Sequence, residues 1–200
     1  MVRGQDTGRT LKGLMVITLC RMEKEELEDE ILTEAEDKLS LERLEMLRVI
    51  GTGTFARVCL CQVGNFIYEA DTVSPLALSV QDKTSKHYYA LKILTMAQVI
   101  KLKQVEHVIN EKEILREVRH PFIVSLVWSH KDSHCLYMLF PYICGGELFS
   151  HLRQSGKFIS STAQFYAAEI VSALEYLHSL SIIYRDLKPE NLLIDKEYFV

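Results

Sequence analysis

From residue 41 onward, the spacing of apolar and polar positions divides the chain into short strands and amphipathic helices. Leu41–Ile50 is an apolar-rich run that feeds a glycine turn, and Val58–Cys61 continues beyond the turn as a strand. Tyr89–Leu94 alternates so that Ala90 and Lys92 share one face. Thr95–Val118 carries a helical pattern, with Val108, Ile109, Leu115 and Val118 apolar and Glu111 at the edge of the stripe. His120-Pro121 ends that helix. Phe122–Trp128 and Leu136–Phe140 are predicted strands, and Glu147–Gln154 a predicted helix. Ser161-Thr-Ala-Gln164 has capping-box spacing. The helix it opens, Phe165–Leu177, is apolar on nearly every side and demands burial. Leu192–Asp195 and Tyr198–Val200 read as the start of a hairpin.

Upstream of residue 41 the pattern is weak. Residues 1–20 show no convincing periodicity and are expected to be disordered or poorly packed. Glu23–Lys38 is acidic, and Leu27, Ile31 and Ala35 mark the narrow stripe of a solvated helix.

Composition narrows the function classes. The 200 residues are 48% hydrophobic and 25% charged, as in ordinary globular domains. A net charge of −4 leaves no footprint for nucleic acid or an acidic membrane, and neither is expected as a partner. No stretch reaches the roughly 18 apolar residues that span a bilayer. The run Leu14–Cys20 is at the short limit for a signal peptide and lacks a cleavage site. The five cysteines are odd in number and scattered, and Cys59 and Cys61 have no second pair to complete a zinc site. Reduced thiols in the cytosol or nucleus are the expected state.

Three stretches carry candidate chemistry. Gly51 and Gly53 flank Thr52 and precede Thr54, Phe55 and Ala56 in a strand-turn-strand pattern. Their missing Cβ atoms let backbone amides approach phosphates. No helix follows, as a dinucleotide-binding turn would require, and no Gly-Lys-Ser/Thr ends it as a P-loop would. Lys92 on its strand and Glu111 on its helix form the second stretch, because a half-buried carboxylate needs a cation and Lys92 is the available one. The third is Tyr184–Asn191. There Asp186 can accept a hydroxyl proton, Lys188 can neutralise a phosphoryl oxygen, and Asn191 can ligate a metal through its amide oxygen. Pro189 stiffens the spacing among them.

The strings GTGTFARV, YYALKIL, NEKEIL, LYML, GGELFSHL and YRDLKPENLLID occur in this order between about Leu41 and Asp195. Together they resemble the AGC group of serine/threonine protein kinases, and within it the cAMP-dependent protein kinase catalytic subunits and protein kinase X. The resemblance implies an α+β fold: a five-stranded antiparallel sheet with one main helix, then a truncated, mainly helical second lobe. It divides the chain into an amino-terminal extension (1–40, with the acidic helix at 23–38), a first lobe (41–140) and a hinge with a partial second lobe (141–200). Thirty-five residues separate Ala56 from Lys92, about twice what a kinase hairpin needs. Residues 63–81 are therefore read as an insertion, either a tolerated surface loop or translated intronic sequence.

The same resemblance implies ATP and Mg2+ as cofactors. The turn from Gly51 to Ala56 would cover the phosphates, although Ala56 stands where the family has a third glycine. Val58, Ala90 and Leu193 would sandwich the adenine, Phe140 would back the pocket, and the Pro141 carbonyl and Ile143 amide would meet the adenine edge. Lys92, paired with Glu111, would hold the α- and β-phosphates. Asp186 would deprotonate the substrate hydroxyl, Lys188 would meet the γ-phosphate and Asn191 would bind Mg2+. Glu147 and Glu190 match positions that favour arginine near the target serine or threonine, so protein substrates with basic residues are implied, and a regulatory subunit for longer relatives. Leu115, Leu126 and Tyr184 match a packed column that links kinase lobes. The sequence runs nine residues past Asn191 and holds no Asp-Phe-Gly. A polypeptide of these residues alone is therefore expected to be inactive, or a non-catalytic fragment that binds nucleotide weakly or competes for kinase partners. In isolation it is expected above all to misfold, because the apolar helix Phe165–Leu177 lacks its cover.

Overall fold

A computed structural model of the chain describes residues 9–11, 17–19, 39–54, 56–63 and 88–195. The predicted acidic helix at Glu23–Lys38, nearly all of the predicted insertion at 63–81, Phe55 and the predicted strand Tyr198–Val200 lie outside them.

Five strands build the principal sheet: β3 (Leu44–Thr52), β4 (Ala56–Val63), β5 (Tyr88–Thr95), β6 (Trp128–Lys131) and β7 (Cys135–Pro141). Their spatial order is β3-β4-β5-β7-β6, and every neighbouring pair is antiparallel. β5 is central, which explains why Leu91 to Leu94 are all buried. Alternation then sorts them. Leu91 and Ile93 pack with Cys59, Cys61 and Leu139 on one face. Leu94 and Ala90 pack with Met138 and Phe140 on the other. Gln62 of β4 stands opposite Tyr88 of β5, so the long connection between these strands starts and ends at adjacent positions. The sheet is continuous across it.

After β5 come α1 (Met96–Lys101) and α2 (Val105–Glu117). The single helical pattern at Thr95–Val118 is thus broken, with Lys103 at φ 53° in the left-handed region. α2 packs Val108, Ile114 and Leu115 into the core. Residues Phe122–Val127 are not a strand as predicted; the strand begins at Trp128. Ile123, Val124, Leu126 and Val127 are buried all the same, held by core packing and by isolated backbone bonds such as Val127 N–H to the Leu139 carbonyl at 2.9 Å.

Past β7 lie α3 (Leu148–Ser155) and α4 (Ser160–Ser179), with Glu147 and Ile159 at their caps. The Ser161 capping box does not form: α4 starts one residue earlier without a side-chain cap. α4 buries one face, through Ala173 and Leu177, while Phe165 and Val171 remain exposed. β8 (Ile182–Tyr184) and β9 (Leu192–Ile194) bracket a loop containing a 3-10 turn at Pro189–Asn191.

The amino-terminal residues depart most from expectation. Arg9–Leu11 forms β1 and pairs in parallel with β8, and Ile17–Leu19 forms β2 and pairs in parallel with β9. Ile17 and Leu19 are fully buried in the core cluster that also holds Leu115, Leu126, Leu177 and Tyr184. Three-residue strands are too short to show a period, so sequence pattern could not reveal them.

Candidate functional site

The hairpin joining β3 to β4 is closed by the Gly53 amide, which donates to the Ala56 carbonyl at 2.7 Å. A bulge between Val49 and Gly51 brings Gly51 opposite Val58. A Cβ on Gly51 would meet nothing nearer than Val58 Cβ at 3.7 Å, and on Gly53 nothing nearer than the Ala56 carbonyl oxygen at 3.7 Å. Among the described residues, the hairpin leaves room for a side chain at either position.

Lys92 sits on central strand β5 between Val58 of β4 and Met138 of β7. Its ammonium donates to Glu111 Oε1 on α2 at 2.8 Å, and both residues are buried, at 4% and 6% exposure. Neither charge would be tolerated there without the other.

Beyond β8, Asn191 folds back over the loop. Its side-chain amide donates to the Asp186 carbonyl at 2.8 Å, to Asp186 Oδ2 at 2.9 Å and to the Tyr184 hydroxyl oxygen at 3.1 Å. Lys188 pairs with Asp186 Oδ2 at 3.1 Å. The Tyr184 hydroxyl is pushed up to about 12, chiefly by burial, with the Asp186 and Glu111 carboxylates adding to the rise and the Asn191 hydrogen bond opposing it. Tyr184 therefore stays neutral, and its hydroxyl is tied to the Asp186 loop through the Asn191 amide.

The described residues also enclose a cleft of about 330 Å³, within the range of small-ligand sites, and Lys92, Glu111, Asp186, Lys188 and Asn191 are not among its lining residues. Gly51, Val58 and Ala90 line it from the sheet, Phe140, Pro141 and Ile143 from the segment after β7, and Glu147 and Leu193 from the opposite side. A backbone bridge between Glu147 and Leu193 holds that second wall. Ile50, Val124, Tyr142 and Gly146 line the cleft too and escaped the sequence reading. Ile50 and Tyr142 could have been found as immediate neighbours of predicted residues, whereas Val124 comes from a segment read as a strand. Thr52, Gly53, Thr54 and Ala56 lie at the hairpin tip beyond the lining, and exposed Glu190 sits on the 3-10 turn. Glycine at 145 has a packing reason: a Cβ there would overlap the Ile194 carbonyl.

The donors for Mg2+ are few. Asn191 can offer its amide oxygen, while Asp186 Oδ2 already accepts a hydrogen bond from Asn191 and is ion-paired with Lys188. No group of three metal-ligating side chains occurs among the described residues. An ion that prefers about six oxygens and usually takes carboxylates would not be held by these residues alone.

The model of the family described as "Protein kinase domain" matches residues 75–200. The chain is 56% identical over 160 residues to the cAMP-dependent protein kinase catalytic subunit 3 of Drosophila melanogaster, covering 80% of this chain and 24% of that protein. It is 49% identical over 158 residues to the human cAMP-dependent protein kinase catalytic subunit PRKX, covering 79% of this chain and 39% of that protein. The Dictyostelium discoideum cAMP-dependent protein kinase catalytic subunit is 50% identical over 157 residues, covering 78% and 21%. The chain thus spans between about a fifth and two fifths of the length of these relatives.

Proposed function

The chain belongs to the protein kinase family, and from that premise we propose that it binds ATP in the cleft between the sheet and Leu193 and carries the proton-accepting half of a serine/threonine phosphotransferase site. The observation that supports this most is the buried Lys92–Glu111 pair on the sheet, with the Asp186–Lys188–Asn191 cluster on the loop after β8 as a second charged group. Val58, Ala90 and Leu193 form apolar walls that suit a purine ring, and the backbone of Pro141–Ile143 offers a carbonyl and an amide to its edge. Lys92, oriented by Glu111, would meet the α- and β-phosphates. Asp186 would accept the proton of a substrate hydroxyl, and Lys188 would leave its ion pair to meet the γ-phosphate.

The family generally uses ATP and Mg2+. The metal neutralises phosphate charge when bound, and Asn191 is the residue here that would contact it. Residues 1–200 contain no Asp-Phe-Gly. A polypeptide of these residues is therefore proposed to bind nucleotide weakly and to transfer phosphate at or near background. Protein substrates with arginine near the target residue, and a regulatory partner, are proposed for longer relatives. The thiols of Cys59, Cys61, Cys135 and Cys144 are free, which suits the cytosol or nucleus.

Titration calorimetry with ATP tests the binding claim. Weak binding is expected, lost in Lys92→Ala and in Ala90→Phe, which fills the purine slot. Unchanged binding in both variants would sink it. Phosphate transfer to an arginine-rich serine peptide, abolished by Asp186→Asn, would overturn the proposed inactivity.

A further inference from the structure

No further inference is drawn: the strongest candidate, the basic cavity between α2 and the β6 edge lined by Lys112, Arg116, Arg119, Trp128 and Ser129, restates a docking site already established for the kinase family's fold.

Discussion

Asn191 donates its side-chain amide to both the backbone carbonyl and the carboxylate of Asp186, at 2.8 and 2.9 Å. Both acceptors belong to one residue, so the contact fixes the backbone and the side-chain rotamer of Asp186 together. Asn191→Ala should lower stability by about 1.5–3 kcal/mol, as loss of a hydrogen bond to a charged group does. Asn191→Asp should cost more, because it sets carboxylate against carboxylate. Urea denaturation midpoints check the order, and an Asn191→Asp chain as stable as the parent would contradict it.

The Lys92–Glu111 pair should behave as a buried ion pair. Lys92→Met alone should destabilise by about 3–5 kcal/mol, since it strands a carboxylate in the interior. Lys92→Met with Glu111→Leu should recover much of that loss while nucleotide binding stays abolished. A double-mutant cycle on unfolding free energies measures the coupling. Strict additivity would mean that the two charges do not support each other.

Two glycines should respond in opposite ways. At Gly145 a Cβ would overlap the Ile194 carbonyl oxygen and lie 2.8 Å from its carbon, so Gly145→Ala must push β9 away from the helical side. A loss of about 1–3 kcal/mol follows from such overpacking. Gly53→Ala has room and should change stability by no more than about 0.5 kcal/mol, yet weaken ATP binding by obstructing the hairpin tip. Thermal unfolding and calorimetry on the two variants separate packing from ligand approach.

His120 should make the fold sensitive to mild acid. Its ring stacks on Tyr176 at 5.0 Å, and Nδ1 accepts the Phe122 amide at 3.2 Å. Burial lowers its pKa below the ordinary value. Protonation would turn that accepting nitrogen into a donor facing an N–H. Between the depressed folded value and the ordinary value near 6.5, the unfolded chain binds more protons than the folded one. This contribution to stability is therefore complete above about pH 7 and declines as pH falls through 6.5. Unfolding free energies at pH 7.5 and 5.5 should differ more for the parent than for His120→Gln. An equal difference would show that the ring is not responsible.

Much of the site was legible because its pieces are local. Alternation along Tyr89–Leu94 was enough to turn Ala90 and Lys92 to one face, and the cleft indeed includes Ala90 on the face where Lys92 meets Glu111. Spacing within Tyr184–Asn191 was enough to group Asp186, Lys188 and Asn191, because five or seven residues cannot move far apart. Yet the sequence did not show Lys188 turned onto Asp186, Val124 in the cleft wall, or Ile50 beside the first glycine. Each depends on how a neighbouring element packs.

Residue order alone marked most of the strands, the helices and the charged loop, since short-range periodicity and turn chemistry encode them, while the five-stranded antiparallel sheet was implied by the family resemblance. Only the three-dimensional arrangement decided that Ile123, Val124, Leu126 and Val127 are buried without forming a ladder, that the helical stretch breaks at Lys103, and that Arg9–Leu11 and Ile17–Leu19 pair with β8 and β9. Backbone hydrogen bonds between segments more than 170 positions apart leave no periodic trace in either segment. Their pairing emerges only when the apolar faces of both are packed into one core.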